Sequence, residues 1–285
     1  NRIEIDMVDF SGAAFQGVDN RVASLKLVQL GLSDAAMFGP NGEVLQPSEV
    51  LYKRPVLVER GSFRPVTHVN VDMLRCAREE LGKVLGDDRE RLVELAEITM
   101  KNLLATGDID YHDFLARADV LAATGKTVLI SDYFEYYRLV GFLQRCTKLP
   151  IAIVLGAGSL LELVNEDAKA AIEAQLPGGV LEAMGRLFRN DTRVFVYPWK
   201  NQETGALTTV ENLKVPPEVT KLFEYLVERG SILPIKNYNP DYLRIFSRDV
   251  AKRIQSGDAS WEKDVPPEIA SVIKTRGFFG YKKPS

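Results

Sequence analysis

Residues 60 to 74, RGSFRPVTHVNVDML, follow a short apolar run and place Gly61, Ser62, Phe63, Thr67, His68 and Asn70 where a strand would turn into a helix. Such a turn can grip phosphate. A helix start exposes unpaired N–H groups and the positive end of its dipole, and a glycine before it lets the backbone approach an anion. A ligand-free strand-to-helix junction needs the same glycine turn and a cap, for which Thr67 serves, so composition leaves both readings open. His68 and His112 are the two histidines of the chain. With so few, no zinc site or histidine-based triad can be assembled.

Three further groups could contribute. Gly156, Ala157 and Gly158, after the run IAIVL, permit close backbone approach to a ligand. Trp199, at the end of RVFVYPW, could stack on a ligand ring or cap the core. Ser247, Arg248, Lys252 and Arg253 open a helical stretch, either as donors and cations for phosphate or as a solvated face with routine ion pairing.

Short β-rich runs alternate with helical stretches along most of the chain. The runs are PVLV (55–58), KTVLIS (126–131), PIAIVLG (150–156) and RVFVYPW (193–199), with a short SILPI later. Helices are expected from about Val69 to Val84, from Arg89 to Ala105, across YHDFLARADVLAAT, EYYRLVGFLQRC, SLLELV, GVLEAMGRLF and PPEVTKLFEYLVERG, and twice near the end. Continuous apolar strands separated by helices imply a doubly wound α/β domain with a parallel sheet covered on both faces. Ligands in such folds sit beyond the carboxyl ends of the strands. Residues 1–52 read as an N-terminal extension, a helix over 21–32 and a hairpin around Gly39-Pro40-Asn41-Gly42, and residues 53–285 as the main domain.

Taken in order, these landmarks resemble the HxGH-type nucleotidyltransferases, in particular the nicotinate/nicotinamide mononucleotide adenylyltransferases. Gly61, Ser62, Phe63, Pro65 and Thr67 match the first motif; Arg64 replaces its Asp or Asn, Val69 its glycine and Asn70 its second histidine. Gly156, Ala157 and Leu160 match the second landmark, where Gly158 replaces an aspartate. Ile245 and Ser247 match the closing signature, where Arg248 stands for a threonine and Ala251 for an arginine, with Lys252 and Arg253 just beyond. The similarity spans residues 55 to 281 and leaves out residues 1–52.

What the resemblance implies is a Rossmann-like fold and transfer of AMP from ATP to a phosphate-monoester acceptor with Mg²⁺, releasing pyrophosphate, as in NAD biosynthesis; nicotinamide or nicotinate mononucleotide is one option for the acceptor. Gly61, Ser62, Phe63, Gly156, Ala157, Gly158, Ser247, Arg248 and Arg253 would bind ATP. Thr67, Asn70, His68 and Lys252 would carry catalysis, with His68 a stand-in for the missing histidine. Trp199 would hold the substrate ring, and no protein metal site is implied. The replacements at Asn70, Gly158 and Ala251 equally suit a nucleotide-binding module or pseudoenzyme with a regulatory role.

The bulk numbers agree with a soluble, cytoplasmic protein. A net charge of −3 and a pI near 5.7 supply no basic field for nucleic acid or anionic membrane. No apolar run reaches the roughly eighteen residues of a membrane span. Cys76 and Cys146 lie far apart in helical segments and read as buried thiols. The expected partners are small nucleotides, with homo-oligomer formation open.

Overall fold

The computed structural model describes residues 5–105, 107–163 and 165–282. Its strands are β1 (Ala35–Phe38), β2 (Val44–Leu45), β3 (Val56–Arg60), β4 (Val93–Thr99), β5 (Thr127–Ser131), β6 (Ile151–Gly156), β7 (Arg193–Tyr197), β8 (Trp199–Lys200), β9 (Leu207–Thr208) and β10 (Ile232–Pro234). Eight of them form one sheet in the order β10-β7-β6-β3-β4-β5-β1-β2, and β8 and β9 form a separate two-stranded ribbon. The six strands from β10 to β5 run parallel, while β1 and β2 pair antiparallel. Counting β3 as the first parallel strand, the order is 3-2-1-4-5-6, the doubly wound Rossmann arrangement.

Both faces of the sheet are covered, which explains the unbroken apolar runs. On one face Val58, Leu95 and Ile153 pack with Leu139 and Leu143 of the helix Tyr136–Cys146. On the other, Leu57 and Val154 meet the helix His68–Leu85, and Ile98 and Ile130 meet the helix Tyr111–Ala123 and the C-terminal helices. Tyr133, Tyr136 and Tyr137 are buried in the first of these layers.

The N-terminal helix and hairpin build onto the edge of this same sheet. Gly39 N–H closes the turn onto the Glu43 carbonyl, Gly42 adopts a φ of +81°, and β1 then runs along β5 from Ala35 opposite Ser131 to Phe38 opposite Val128. Leu25, Val28 and Phe38 share a core with Phe114 and Ile130.

One expected helix is not formed. Residues 89–105 do not form a helix: a 3₁₀ turn to Arg91 leads into β4, and a short helix, Met100–Leu104, follows. Val93, Leu95, Ala96 and Ile98 satisfy either period. In the fold both carboxylates find cations: Glu94 pairs with Arg78 and Lys126, and Glu97 with Arg60 at 2.7 Å. Tertiary ion pairs thus decide a stretch whose local pattern is ambiguous.

Among the described residues no helix is long and apolar enough to cross a membrane. Both cysteines are free; Cys76 is buried as expected, whereas Cys146 is only partly so. Because β1 is integral to the sheet, Phe38→Ala should cost about 3–5 kcal/mol in urea unfolding, as a core truncation does. A loss under about 0.5 kcal/mol, typical of surface sites, would show that the hairpin is only loosely attached.

Candidate active site

Strand order decides where a ligand can sit. The chain leaves β3 toward β4 and leaves β6 toward β7, on opposite sides, so a crevice opens beyond the carboxyl ends of the adjacent strands β3 and β6. An open cleft of about 940 Å³ lies there. Thr67, Asn70 and Met73 reach it from the helix His68–Leu85; Gly156, Gly158 and Glu162 from the end of β6 and the short helix Ala157–Glu162. Tyr197, Pro198 and Trp199 close it from the end of β7, and Tyr242, Ser247, Arg248 and Lys252 from the C-terminal segment.

Helix starts converge on the cleft. The residues capping the helices that begin at 68, 157 and 247 are Thr67, Gly156 and Phe246, and each lines it. Each dipole favours an anion by about 0.3–1 kcal/mol. Charged side chains add no net attraction, since Arg248 and Lys252 face Glu162, Glu203 and Asp249. Lys252 lies 3.7 Å from Asp249 in an exposed pair, weak enough to yield to a ligand. A Cβ built at Gly156 or Gly158 meets no atom within 4 Å, so both glycines leave the cleft floor open.

Asn70 lines the cleft and is also bonded to two neighbours. Its Oδ1 accepts from the Thr67 backbone N–H at 2.8 Å and the Thr67 hydroxyl at 3.0 Å, which ties down the first helical turn. Its Nδ2 donates to Glu59 Oε1 at 2.7 Å. One amide hydrogen remains for a ligand. Glu59, on β3 beneath it, is 1% exposed, its Oε2 has no hydrogen-bond partner among the described residues, and burial pushes its carboxyl up to about 8.

Thr67, Asn70, Gly156, Gly158, Trp199, Ser247, Arg248 and Lys252 therefore meet in one cleft. Gly61, Ser62, Phe63, His68, Ala157 and Arg253 lie outside its lining, and each has a local reason. Phe63 is 2% exposed and packs into the core beside the helix Tyr111–Ala123. Gly61 serves that packing, because a Cβ there would come within 3.1 Å of the Phe63 ring. The Ser62 carbonyl accepts from Arg117, and Arg64 pairs with Asp113 at 2.6 Å, drawing the loop toward the same helix. His68 stacks on Tyr242 with ring centroids 5.1 Å apart, and Ala157 is fully buried. Arg253 pairs with the buried Asp264, so its charge is spent on structure.

Sequence reasoning missed Glu59, Tyr197 and Asp72. The Tyr197 hydroxyl donates to Asp72 Oδ2 at 2.8 Å, the same oxygen that accepts from Asn239 N–H at 2.9 Å, tying β7, the long helix and the C-terminal loop together behind the cleft. Asp72, one turn after Thr67, was visible only as an acid in a helical run. The glutamate within VLVER could have been flagged as a charge inside an otherwise buried strand.

Two stability tests follow from these assignments. Arg253→Ala leaves Asp264 buried with only the exposed Arg244 beside it, and should cost about 3 kcal/mol, whereas Lys252→Ala should change unfolding by less than about 0.5 kcal/mol. For Glu59 the folded pKa is raised, so its stabilising contribution is complete below about 4.5 and is lost as pH rises through about 8. Glu59→Gln should therefore flatten the decline in stability between those pH values, by on the order of a few kcal/mol, in urea titrations across that range.

No protein-family model matches the chain, and no curated protein matches it. Among solved structures it is similar to Plasmodium falciparum nicotinic acid mononucleotide adenylyltransferase complexed with APC, at 12% identity and a TM-score of 0.46, over 80% of this chain and 98% of that one. It is also similar to a candidate nicotinate-nucleotide adenylyltransferase from Vibrio parahaemolyticus, at 10% identity and a TM-score of 0.32, over 81% of this chain and 98% of that one. Likeness at this level transfers no activity, and the fold assignment rests on the strand order.

Proposed function

We propose that the chain is a nucleotidyltransferase of the mononucleotide adenylyltransferase type, moving AMP from ATP to a phosphate monoester, for which nicotinamide or nicotinate mononucleotide is one option. One observation carries the reading. Helix starts at 68 and 247, nearly the whole domain apart in sequence, line the same cleft at the switch point of a 3-2-1-4-5-6 sheet.

In the reaction an acceptor phosphate oxygen attacks the α-phosphorus of ATP in line. A new P–O bond forms as the α–β bridge breaks, and pyrophosphate leaves with the electron pair. Such a transfer needs positioning and charge neutralisation more than covalent help. Backbone N–H groups at the helix starts, the Ser247 hydroxyl, Arg248 and Lys252 would hold the polyphosphate, and the second Asn70 amide hydrogen could reach a phosphoryl oxygen. Trp199, 39% exposed on the cleft wall, offers a ring face to a base. Among the described residues no group of three or more His, Cys, Asp or Glu side chains could hold a metal. Mg²⁺ would then be held by phosphate oxygens and water, where it supplies charge neutralisation.

A second reading has its own support: Asn70 is bonded to Thr67 and Glu59, as a structural cap would be, which suits a nucleotide-binding module without turnover. Calorimetric ATP binding and pyrophosphate release over a panel of phosphate monoesters separate the two. Turnover supports the enzyme; binding alone supports the module; neither removes both. Gly158→Leu, which projects into open space, should abolish ATP binding with Tm unchanged, and Lys252→Ala should weaken it about 5- to 20-fold, the loss of one charge-assisted contact.

A further inference from the structure

Glu59 occupies a place where a carboxyl is costly. It lies in β3 opposite Ala96 on one side and Val154 on the other, and the long helix covers it. Oε1 is held by Asn70, and Oε2 has no hydrogen-bond partner among the described residues. Asn70 itself lines the cleft. One hydrogen bond therefore separates a fully buried carboxyl from the ligand space.

We propose that Glu59 is a positioning residue for the cleft: its neutral carboxyl holds the Asn70 amide in the orientation that receives a phosphate-bearing ligand, and binding of that ligand is accompanied by proton uptake at Glu59. The inference rests on the nucleotide-binding reading and deepens it.

The hydrogen-bond pattern leaves Asn70 one orientation. Its Oδ1 must accept from Thr67, so Nδ2 must point to Glu59, and Oε1 must be an acceptor. A proton on the carboxyl therefore sits on Oε2. An ionised carboxylate there would be desolvated with a single partner, which strongly favours the neutral form. Burial is the largest influence on this carboxyl and raises it to about 8; the Asn70 bond and Lys126 oppose it, and Glu94 adds to it. Glu94 and Lys126, on β4 and at the entry to β5, are paired with each other. Across the sheet the Tyr136 hydroxyl is pushed up to about 12, chiefly by burial, with Glu59 a minor contributor. No cation bonds Glu59 directly in this set, so an anion arriving above Asn70 meets a carboxyl that must stay neutral for the two to coexist.

The sign is fixed by this geometry. Affinity for an anionic ligand is highest with Glu59 protonated and falls as pH rises through about 8, by up to about tenfold per pH unit. Titration of ATP into the full chain at pH 8, in two buffers of different ionisation enthalpy, should show uptake of up to about half a proton. Glu59→Gln, which keeps an acceptor for Asn70 and cannot ionise, should lose that uptake and flatten the fall in affinity between pH 7.5 and 9.5. Glu59→Ala, which leaves the amide unheld, should bind ATP about 3- to 10-fold more weakly than Glu59→Gln, the loss of one buried hydrogen bond. Absence of proton uptake in the wild type, which needs no variant, overturns the proposal, as does equal uptake in Glu59→Gln. ATP that binds without proton linkage leaves the nucleotide reading standing, whereas failure of ATP to bind at any pH removes both.

Discussion

β3 is hydrogen-bonded along both edges and covered on both faces, so every polar group it carries must be satisfied by the protein around it. Its last two residues are Glu59 and Arg60, and alternation sends them to opposite faces. Arg60 is well held: it forks onto Glu97 at 2.7 and 2.9 Å, donates to the carbonyls of Tyr133 and Phe134, and lies over the Tyr136 ring at 4.1 Å. Glu59 is held by Asn70 alone at Oε1, and its Oε2 has no hydrogen-bond partner among the described residues. The strand at the centre of the sheet thus ends with a well-paired cation on one face and an under-satisfied acid on the other, and the cleft opens on the side of the acid.

That asymmetry organises the site. On the Arg60 side, Ser131 adds a hydrogen bond to Glu97 at 2.5 Å, so the ends of β3, β4 and β5 are locked together. On the Glu59 side, Asn70 binds both the acid below it and the cap residue beside it, joining the sheet to the first turn of the long helix. Asp72 repeats the device one step further along, bonding Tyr197 of β7 and the backbone at Asn239. The cleft wall is therefore carried by hydrogen bonds between elements, and the loop Gly61–Pro65 is anchored elsewhere, through Phe63 and Arg64.

The first motif shows how one stretch can be legible as a junction while leaving open which of its residues reach the cleft. A glycine, a hydroxyl residue, a proline and a capped helix were visible in RGSFRPVTHVN, and a helix does begin at His68. The ring of Phe63 turns back over Gly61 into the core, and of this stretch Thr67 and Asn70 line the cleft while Ser62 does not. At the other end, Ser247, Arg248, Lys252 and Arg253 were equivalent as a string. Helical spacing sets Arg253 apart from Arg248 and Lys252, and the buried Asp264, contributed by a later segment, claims it.

The alternation of apolar runs with amphipathic stretches was enough, by itself, to imply a parallel sheet covered on both faces and a ligand site at its carboxyl edge, because a strand buried on both sides needs apolar residues at every position. It was not enough for β4, where Val93 to Ile98 fit two periods, and there the pairing of Glu94 and Glu97 with distant cations made the choice. Nor could it distinguish Asn70 as a cap from Asn70 as a catalyst, or show that Glu59 lies beneath it, since both depend on which side chains from separate elements come within hydrogen-bond reach. Local chemistry sets what a residue is able to do; only its neighbours in space decide which of those capacities is used.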